Sequence, residues 1–173
     1  MSKDKENQEV NVLDELNKGA CMGKDAIHYI MDKVEDNGLK KELNRQYHKY
    51  KVISDEIHKL YPEYAEDNDE EPHETNAMTR FMTWSGIEMK TMNDDSTSHL
   101  AEILMQGTNM GIIEGRRLLN HKGEDPQINK LLDEYVEMQE EAVEKLKEFL
   151  SWIEIVNSSF ILRISNVRET SIL

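Results

Sequence analysis

Three pairs of ionisable side chains have a spacing that could bind metal ions on a helix. Each pair combines a carboxylate and a histidine three residues apart: Asp25 with His28, Asp55 with His58, and His99 with Glu102. A spacing of three places both side chains on the same helical face. Carboxylate and imidazole groups are also common ligands of iron, manganese and zinc. The first chemistry to consider is therefore metal binding between helices.

The expected orientation of these pairs weakens that hypothesis. Successive residues of a helix are rotated by about 100°, so polar and apolar faces can be separated from the sequence. By this rule the three carboxylates face away from the apolar stripes, and the histidines lie at the boundary. An iron or manganese site remains the alternative hypothesis, built from Glu88 and Glu114 as inner ligands with His28, His58 or His99.

Other polar residues do fall on the apolar stripes or at their edges. They are Gln46, Glu88, Glu114 and Gln139. Buried amides and carboxylates are costly unless they form hydrogen bonds, so the pattern predicts an inner polar cluster that includes nearby tyrosines. Polar groups inside a bundle can also line a pocket, and a cavity near Glu114, Gln46 and Gln139 would favour small-molecule binding.

Catalytic chemistry has little support in the sequence. The single cysteine, Cys21, has no activating partner at a recognisable spacing, and no serine follows a nucleophile-elbow pattern. The acidic run 66–71 lacks the spacing of a calcium loop. The sequence therefore predicts a protein that is not an enzyme.

Glycines recur every four residues in two segments. They are Gly19 and Gly23 in the first, and Gly107, Gly111 and Gly115 in the second. Glycine inside a helix costs about 1 kcal/mol relative to alanine, which suggests that each position serves close packing. We expect the two helices to cross at these glycines, either within one chain or across a homodimer.

The charge of the chain limits its partners. Among 173 residues, 35 are acidic and 21 are basic, giving a formal net charge of −14. Such a charge repels nucleic acid and anionic membrane surfaces, so neither is an expected partner. The start of the sequence lacks the apolar stretch of a signal peptide, and no run of about eighteen apolar residues occurs. A cytoplasmic location is expected.

Apolar residues at helical spacing predict an all-α chain of five helices. Their approximate bounds are 9–35, 39–60, 75–93, 98–121 and 126–150. The first two helices and the last two form hairpins, which we place at about 12–60 and 98–150, with a linker and an extra helix at 61–97. Residues 1–150 form one domain, and 151–173 are an atypical tail, rich in serine and β-branched residues. Methionines at helical spacing, among them Met82, Met89 and Met92, are expected in the core.

The two hairpins are related by an internal repeat. Residues 16–30 read LNKGACMGKDAIHYI and residues 104–118 read LMQGTNMGIIEGRRL, which share a leucine, a glycine three positions later, and Met-Gly. The segment 22–30, MGKDAIHYI, and the segment 89–120, which contains SHLAEILMQGTNMGIIEG, resemble a bacterial family of small ferritin-like helical-bundle proteins of unassigned role.

The resemblance implies a ferritin-like up-down bundle of two repeated hairpins plus one extra helix. It carries no assigned catalytic residues onto this chain. The expected function is that of a non-enzymatic structural or protein-interaction module, acting as a homo-oligomer or with a protein partner and requiring no cofactor. The alternative is a ferritin-like iron or manganese protein with an incomplete carboxylate site.

Overall fold

The computed structural model describes residues 3–65, 71–74, 77–92, 94–120 and 125–150. These residues form five α-helices and one short 3-10 turn, Tyr61–Glu63, so the all-α prediction is confirmed. The helices are α1 Lys3–Met31, α2 Asn37–Leu60, α3 Ala77–Thr91, α4 Thr97–Asn120 and α5 Pro126–Lys147. The tail 151–173 lies outside the described residues.

The boundary between α1 and α2 differs from the prediction. The sequence suggested that α1 continues to about residue 35 and that Asn37 and Gly38 lie in the turn. Instead α1 ends at Met31, and both residues belong to the first turn of α2. Asp36 causes the difference, because its backbone is extended and its carboxylate accepts a hydrogen bond from the Leu39 amide at 2.8 Å. An aspartate N-cap of this kind starts a helix at the next residue.

The first two helices and the last two pack as hairpins, α1 on α2 and α4 on α5, while α1 also contacts α4 and α2 contacts α5. The extra helix α3 lies mainly against α1 and less against α4. One apolar core runs between the helices at the positions expected from the helical period. Its most enclosed side chains are Leu13, Leu16, Ile27, Ile30, Leu39, Leu43, Ile57, Leu100, Ile128, Leu132 and Leu146.

Met82 and Met89 of α3, and Met92 directly after it, do not belong to this core. Met82, Met89 and Met92 are 62%, 74% and 78% exposed, so the expectation that they are buried was wrong. In α3 only one side contacts α1, and the helical period alone does not say which apolar residues that side contains. No helix within the described ranges combines the length and the apolar character needed to cross a bilayer.

The start of α5 is stabilised by Asp125, which joins it to Tyr64, directly after the 3-10 turn that follows α2. Its carboxylate accepts hydrogen bonds from the amides of Gln127 and Ile128, and the Tyr64 hydroxyl donates to the same group. Burial raises the pKa of Asp125, but these hydrogen bonds outweigh it and hold the pKa below its ordinary value of 3.8. A depressed pKa means that the ionised carboxylate stabilises the folded state.

We expect Asp125→Ala to lower the free energy of unfolding by about 0.5–2 kcal/mol, the usual cost of losing an N-cap. Asp125→Asn keeps a capping oxygen but removes the charge. Because the folded pKa is below the unfolded one, the ionic contribution is complete above about pH 4 and is lost as the pH falls through the folded value. Thermal unfolding from pH 7 to pH 2 should show the Tm of wild type converging on that of Asp125→Asn at the acid end.

A Tm difference that stays constant down to pH 2 would contradict this account of Asp125. Tyr64→Phe is the matched control, since it removes one donor and leaves the cap in place. It should shift the acid part of the Tm curve toward higher pH.

Candidate functional site

A cavity of about 710 Å³, partly open to solvent, lies between α1, α3 and α4. Most of its lining comes from α1, α3 and α4, and α2 and α5 contribute four side chains, those of Gln46, Tyr50, Tyr135 and Gln139. The five glycines that recur every four residues in α1 and α4 all line it, together with Gly86 of α3. At Gly86 of α3 and Gly107 of α4, no heavy atom of the described residues outside the same helix lies within 4 Å of the position that a Cβ would take, so these two glycines widen the cavity.

At four of these five glycines, side chains from α2 and α5 fill the space that a Cβ would take. A Cβ at Gly19 would lie 2.4 Å from the Tyr135 hydroxyl oxygen, and one at Gly23 would lie 2.4 Å from the Tyr50 ring. A Cβ at Gly111 would lie 2.0 Å from Oε1 of Gln139, and one at Gly115 would lie 2.6 Å from Cγ2 of Val136. The glycines therefore act as notches that accept these side chains.

This arrangement corrects the prediction that α1 and α4 cross backbone to backbone at the glycines. The nearest atoms beside Gly19, Gly23, Gly111 and Gly115 belong to side chains of other helices of the same chain. Gly107 differs from them. No heavy atom of the described residues outside its own helix lies within 4 Å of the position that its Cβ would take, so Gly107 faces open space at the cavity.

A buried polar cluster forms the inner wall of the cavity. The Tyr50 hydroxyl donates a hydrogen bond of 3.3 Å to Oε1 of Gln139, which joins α2 to α5. The Thr108 hydroxyl donates to the Leu104 carbonyl at 2.9 Å, and the rings of Tyr50 and Tyr135 pack edge to face with centroids 6.4 Å apart. Gln139 is 1% exposed, yet its Nε2 has no hydrogen-bond partner among the described residues.

Both phenols of the cluster are neutral at physiological pH. Burial raises the pKa of Tyr50 to about 12, and the neighbouring Thr108 hydroxyl opposes this only in part. Burial also raises the pKa of Tyr135 strongly, and the adjacent Gln139 side chain opposes that increase. Desolvation disfavours the phenolate, so the inner wall presents uncharged polar groups.

The other predicted inner residues lie in different places. Gln46 is buried, and its Nε2 donates to Oε1 of Glu42 at 2.8 Å. Glu114 borders the cavity, but its side chain is 44% exposed and pairs with Arg117, whose hydrogen bond lowers the pKa of the carboxylate. Glu88 is 40% exposed and lies 3.0 Å from Nζ of Lys33. The two glutamates are therefore ion-paired at the surface, outside the inner cluster.

The candidate iron or manganese ligands do not converge. No group of three or more His, Cys, Asp or Glu side chains in the described part of the chain is placed to hold a metal ion. Nδ1 of His58 lies 2.7 Å from the Ser54 carbonyl oxygen, and Nε2 of His99 lies 3.1 Å from that of Lys90. His28 is exposed, with its ring beside Tyr29. With Glu88 and Glu114 in separate ion pairs, these donors do not fit the paired-metal site of a ferritin-like bundle.

A second polar cluster was not predicted from the sequence. Asn17 of α1 is fully buried; its Oδ1 accepts from the Ser54 hydroxyl at 2.9 Å, and its Nδ2 donates to the His73 carbonyl at 3.2 Å. Asp14, one turn earlier, accepts from the His73 amide at 2.8 Å. The segment 71–74 is thereby fastened across α1, where Glu74 borders the cavity. The only hint in the sequence is that Asn17 falls beside Leu13 and Leu16 on the apolar face.

Comparisons with protein-family models, with curated proteins and with solved structures found no match.

Proposed function

We propose that this protein is a non-enzymatic binding protein that holds a small, largely apolar molecule in the cavity between α1, α3 and α4. The observation that carries the proposal is the cavity itself, about 710 Å³ in volume, with a mostly apolar lining that also includes the polar residues Tyr50, Tyr135 and Gln139. Ligand sites are typically concave, mostly apolar and about 300–1,000 Å³ in volume, with a few polar groups that fix orientation.

The glycines give independent support. Four of them make room for side chains of the protein itself, which explains why glycine is present in these helices despite its low helix propensity. Gly107 and Gly86 have no such neighbour among the described residues, yet both line the cavity. A bound molecule would occupy the space that these two positions leave open.

The proposal includes a ferritin-like plan for the bundle, with two related hairpins and α3 as an addition. It is supported by the similarity of residues 16–30 and 104–118 and by the equivalent use of glycine notches in α1 and α4. It does not include iron or manganese, because the candidate donors are held apart by other partners.

Titration with the neutral fluorophore Nile red tests the proposal. We expect saturable binding to the wild-type protein and binding at least about tenfold weaker to Gly107→Leu, because the leucine side chain would fill part of the cavity; tenfold corresponds to about 1.4 kcal/mol. The substitution should not unfold α4, since leucine is a better helix former than glycine.

Asn109→Leu is the matched control, since it adds the same side chain to an exposed position of α4 that does not line the cavity. It should bind Nile red like the wild type. Absence of saturable binding to the wild type, or equal binding to Gly107→Leu, would refute the cavity as the binding site.

A second candidate function is self-association, the homo-oligomer expected from the sequence. The observation that favours it is the exposure of large apolar side chains on α3 and α4, including Met82, Met110 and Ile113. A second copy of this chain would bury them. Each copy has a net charge of −14, so charge repulsion opposes this association. Sedimentation equilibrium should then show a dimer that strengthens with salt and is lost in Met110→Glu; a salt-independent monomer would refute it.

A further inference from the structure

The cavity between α1, α3 and α4 is elongated along the helix axes. Its lining extends from Glu15 to Ile27 on α1 and from Ile103 to Leu118 on α4. These spans measure about 18 Å and about 22 Å at the usual rise of an α-helix, whereas a sphere of 710 Å³ would be only about 11 Å across. The shape therefore suits an extended molecule better than a compact one.

Charged side chains gather at one end of the cavity, which we call the acidic end. The lining residues there are Glu15, Lys18, Glu74 and Glu114. Glu114 and, to a smaller extent, Glu15 raise the pKa of Arg117, so both carboxylates lie near the same guanidinium. The His73 amide donates to Asp14 at 2.8 Å, which brings the following residue, Glu74, to the same end. Among the described lining residues, three carboxylates and one ammonium group thus lie at this end, where they disfavour an anionic group.

Buried apolar side chains line the opposite end, which we call the apolar end. They are Ile27, Ile87, Ile103 and Leu104. Nζ of Lys33 lies 3.0 Å from Oε1 of Glu88, which brings the end of α3 to the end of α1. Nζ of Lys90 donates to Oε1 of Gln106 at 2.9 Å, so the first half of α4 lies at the same level. An aliphatic chain that reaches this end would be removed from water, which favours its binding.

The gap between α3 and α4 leaves room for such a chain. Gly86 and Gly107 border it, and each lies within one turn of the hydrogen bond between Lys90 and Gln106. No heavy atom of the described residues outside the same helix lies within 4 Å of the position that a Cβ would take at either glycine. The path from the acidic end to the apolar end is therefore free of side chains at these two positions.

We infer that the cavity binds a single-chain amphiphile. Its unbranched aliphatic chain extends along α1 and α4 to the apolar end, and its uncharged polar head lies at the acidic end. This inference rests on the proposed function and specifies the ligand class for the same cavity. A compact molecule of the same composition would leave part of the length empty, and an anionic head would be repelled by the carboxylates.

Two isomeric alcohols test the shape of the ligand by displacement of Nile red from the wild-type protein. Undecan-1-ol has its hydroxyl group at the end of an unbranched chain, whereas undecan-6-ol has it in the middle of the same chain. We expect undecan-1-ol to bind at least about tenfold more tightly, because only its chain reaches the apolar end with the hydroxyl group at the acidic end. Among shorter primary alcohols, each methylene removed should weaken binding by about threefold.

Undecanoate tests the position of the head, since it places a negative charge there. It should bind to the wild type more weakly than undecan-1-ol. In Glu114→Gln the affinity for undecanoate relative to undecan-1-ol should rise by about threefold or more, because the substitution removes a carboxylate beside Arg117. Glu140→Gln is the matched control and should leave the relative affinity unchanged, since Glu140 also pairs with an arginine but does not line the cavity.

Three outcomes would each overturn the inference and leave the cavity proposal intact. They are equal affinity of the wild type for the two alcohols, tightest binding of undecanoate, and the same relative affinity for undecanoate in Glu114→Gln and Glu140→Gln. Failure of Nile red and of all these probes to bind would overturn both.

Discussion

Gly23→Ala is expected to destabilise the fold toward the upper end of about 1–3 kcal/mol, the usual cost of overpacking a core. The new Cβ would lie 2.4–2.7 Å from three atoms of the Tyr50 ring. That ring is buried and packs against Tyr135, so it cannot move aside as the end of a flexible side chain could. Urea unfolding followed by far-UV circular dichroism measures the effect.

Gly107→Ala is the matched control, because the same substitution at another helical glycine of the cavity meets open space. Its higher helix propensity should stabilise the protein by about 0.5–1 kcal/mol. The two alanine variants should therefore change stability in opposite directions. A Gly23→Ala protein as stable as Gly107→Ala would show that the Tyr50 ring does not fill the notch.

Asn17→Ala should lower the free energy of unfolding by about 1–3 kcal/mol, because it leaves the buried Ser54 hydroxyl without its acceptor and removes the hydrogen bond to the His73 carbonyl. The segment 71–74 would then be held mainly by Asp14. Chemical denaturation gives the stability change, and hydrogen exchange of the amides of 71–74 reports how far the segment is released.

Asn44→Ala is the control for Asn17→Ala. Asn44 is exposed, and its Nδ2 donates only to the Lys40 carbonyl of its own helix, so its loss should change stability little. If Asn17→Ala were as mild as Asn44→Ala, or if exchange at 71–74 did not increase, the asparagine would not be what fastens the segment to α1.

The helices could be predicted because their stabilisation is local or periodic. Leu39, Leu43, Ile53 and Ile57 recur at helical spacing and all are buried, which fixes both the helix and its inner face. The sequence predicts the start of α2 too late, because Asn-Gly often marks a turn. Here the Asp36 carboxylate caps the helix, so Asn37 and Gly38 belong to its first turn. Where a helix begins depends on the geometry of its capping side chain, and the spacing of apolar residues carries no information about that geometry.

The site could be predicted only in part. Gln46 and Gln139 were placed on inner stripes, and both are buried. Glu114 was placed on the same kind of stripe, but its long side chain turns toward Arg117 at the surface. Which side chains occupy the glycine notches depends on how α2 and α5 align with α1 and α4. That alignment is a tertiary property and has no signature in a single sequence.

The hydrogen bond between Tyr50 and Gln139 has a kinetic consequence. Each hairpin brings together residues that are close in sequence, whereas this bond joins residues 89 positions apart and belongs to both hairpins. Local contacts form early in folding and distant ones late. The α1–α2 and α4–α5 pairs should thus assemble first and dock afterwards. Weakening the buried bond should then mainly accelerate unfolding and leave the refolding rate almost unchanged.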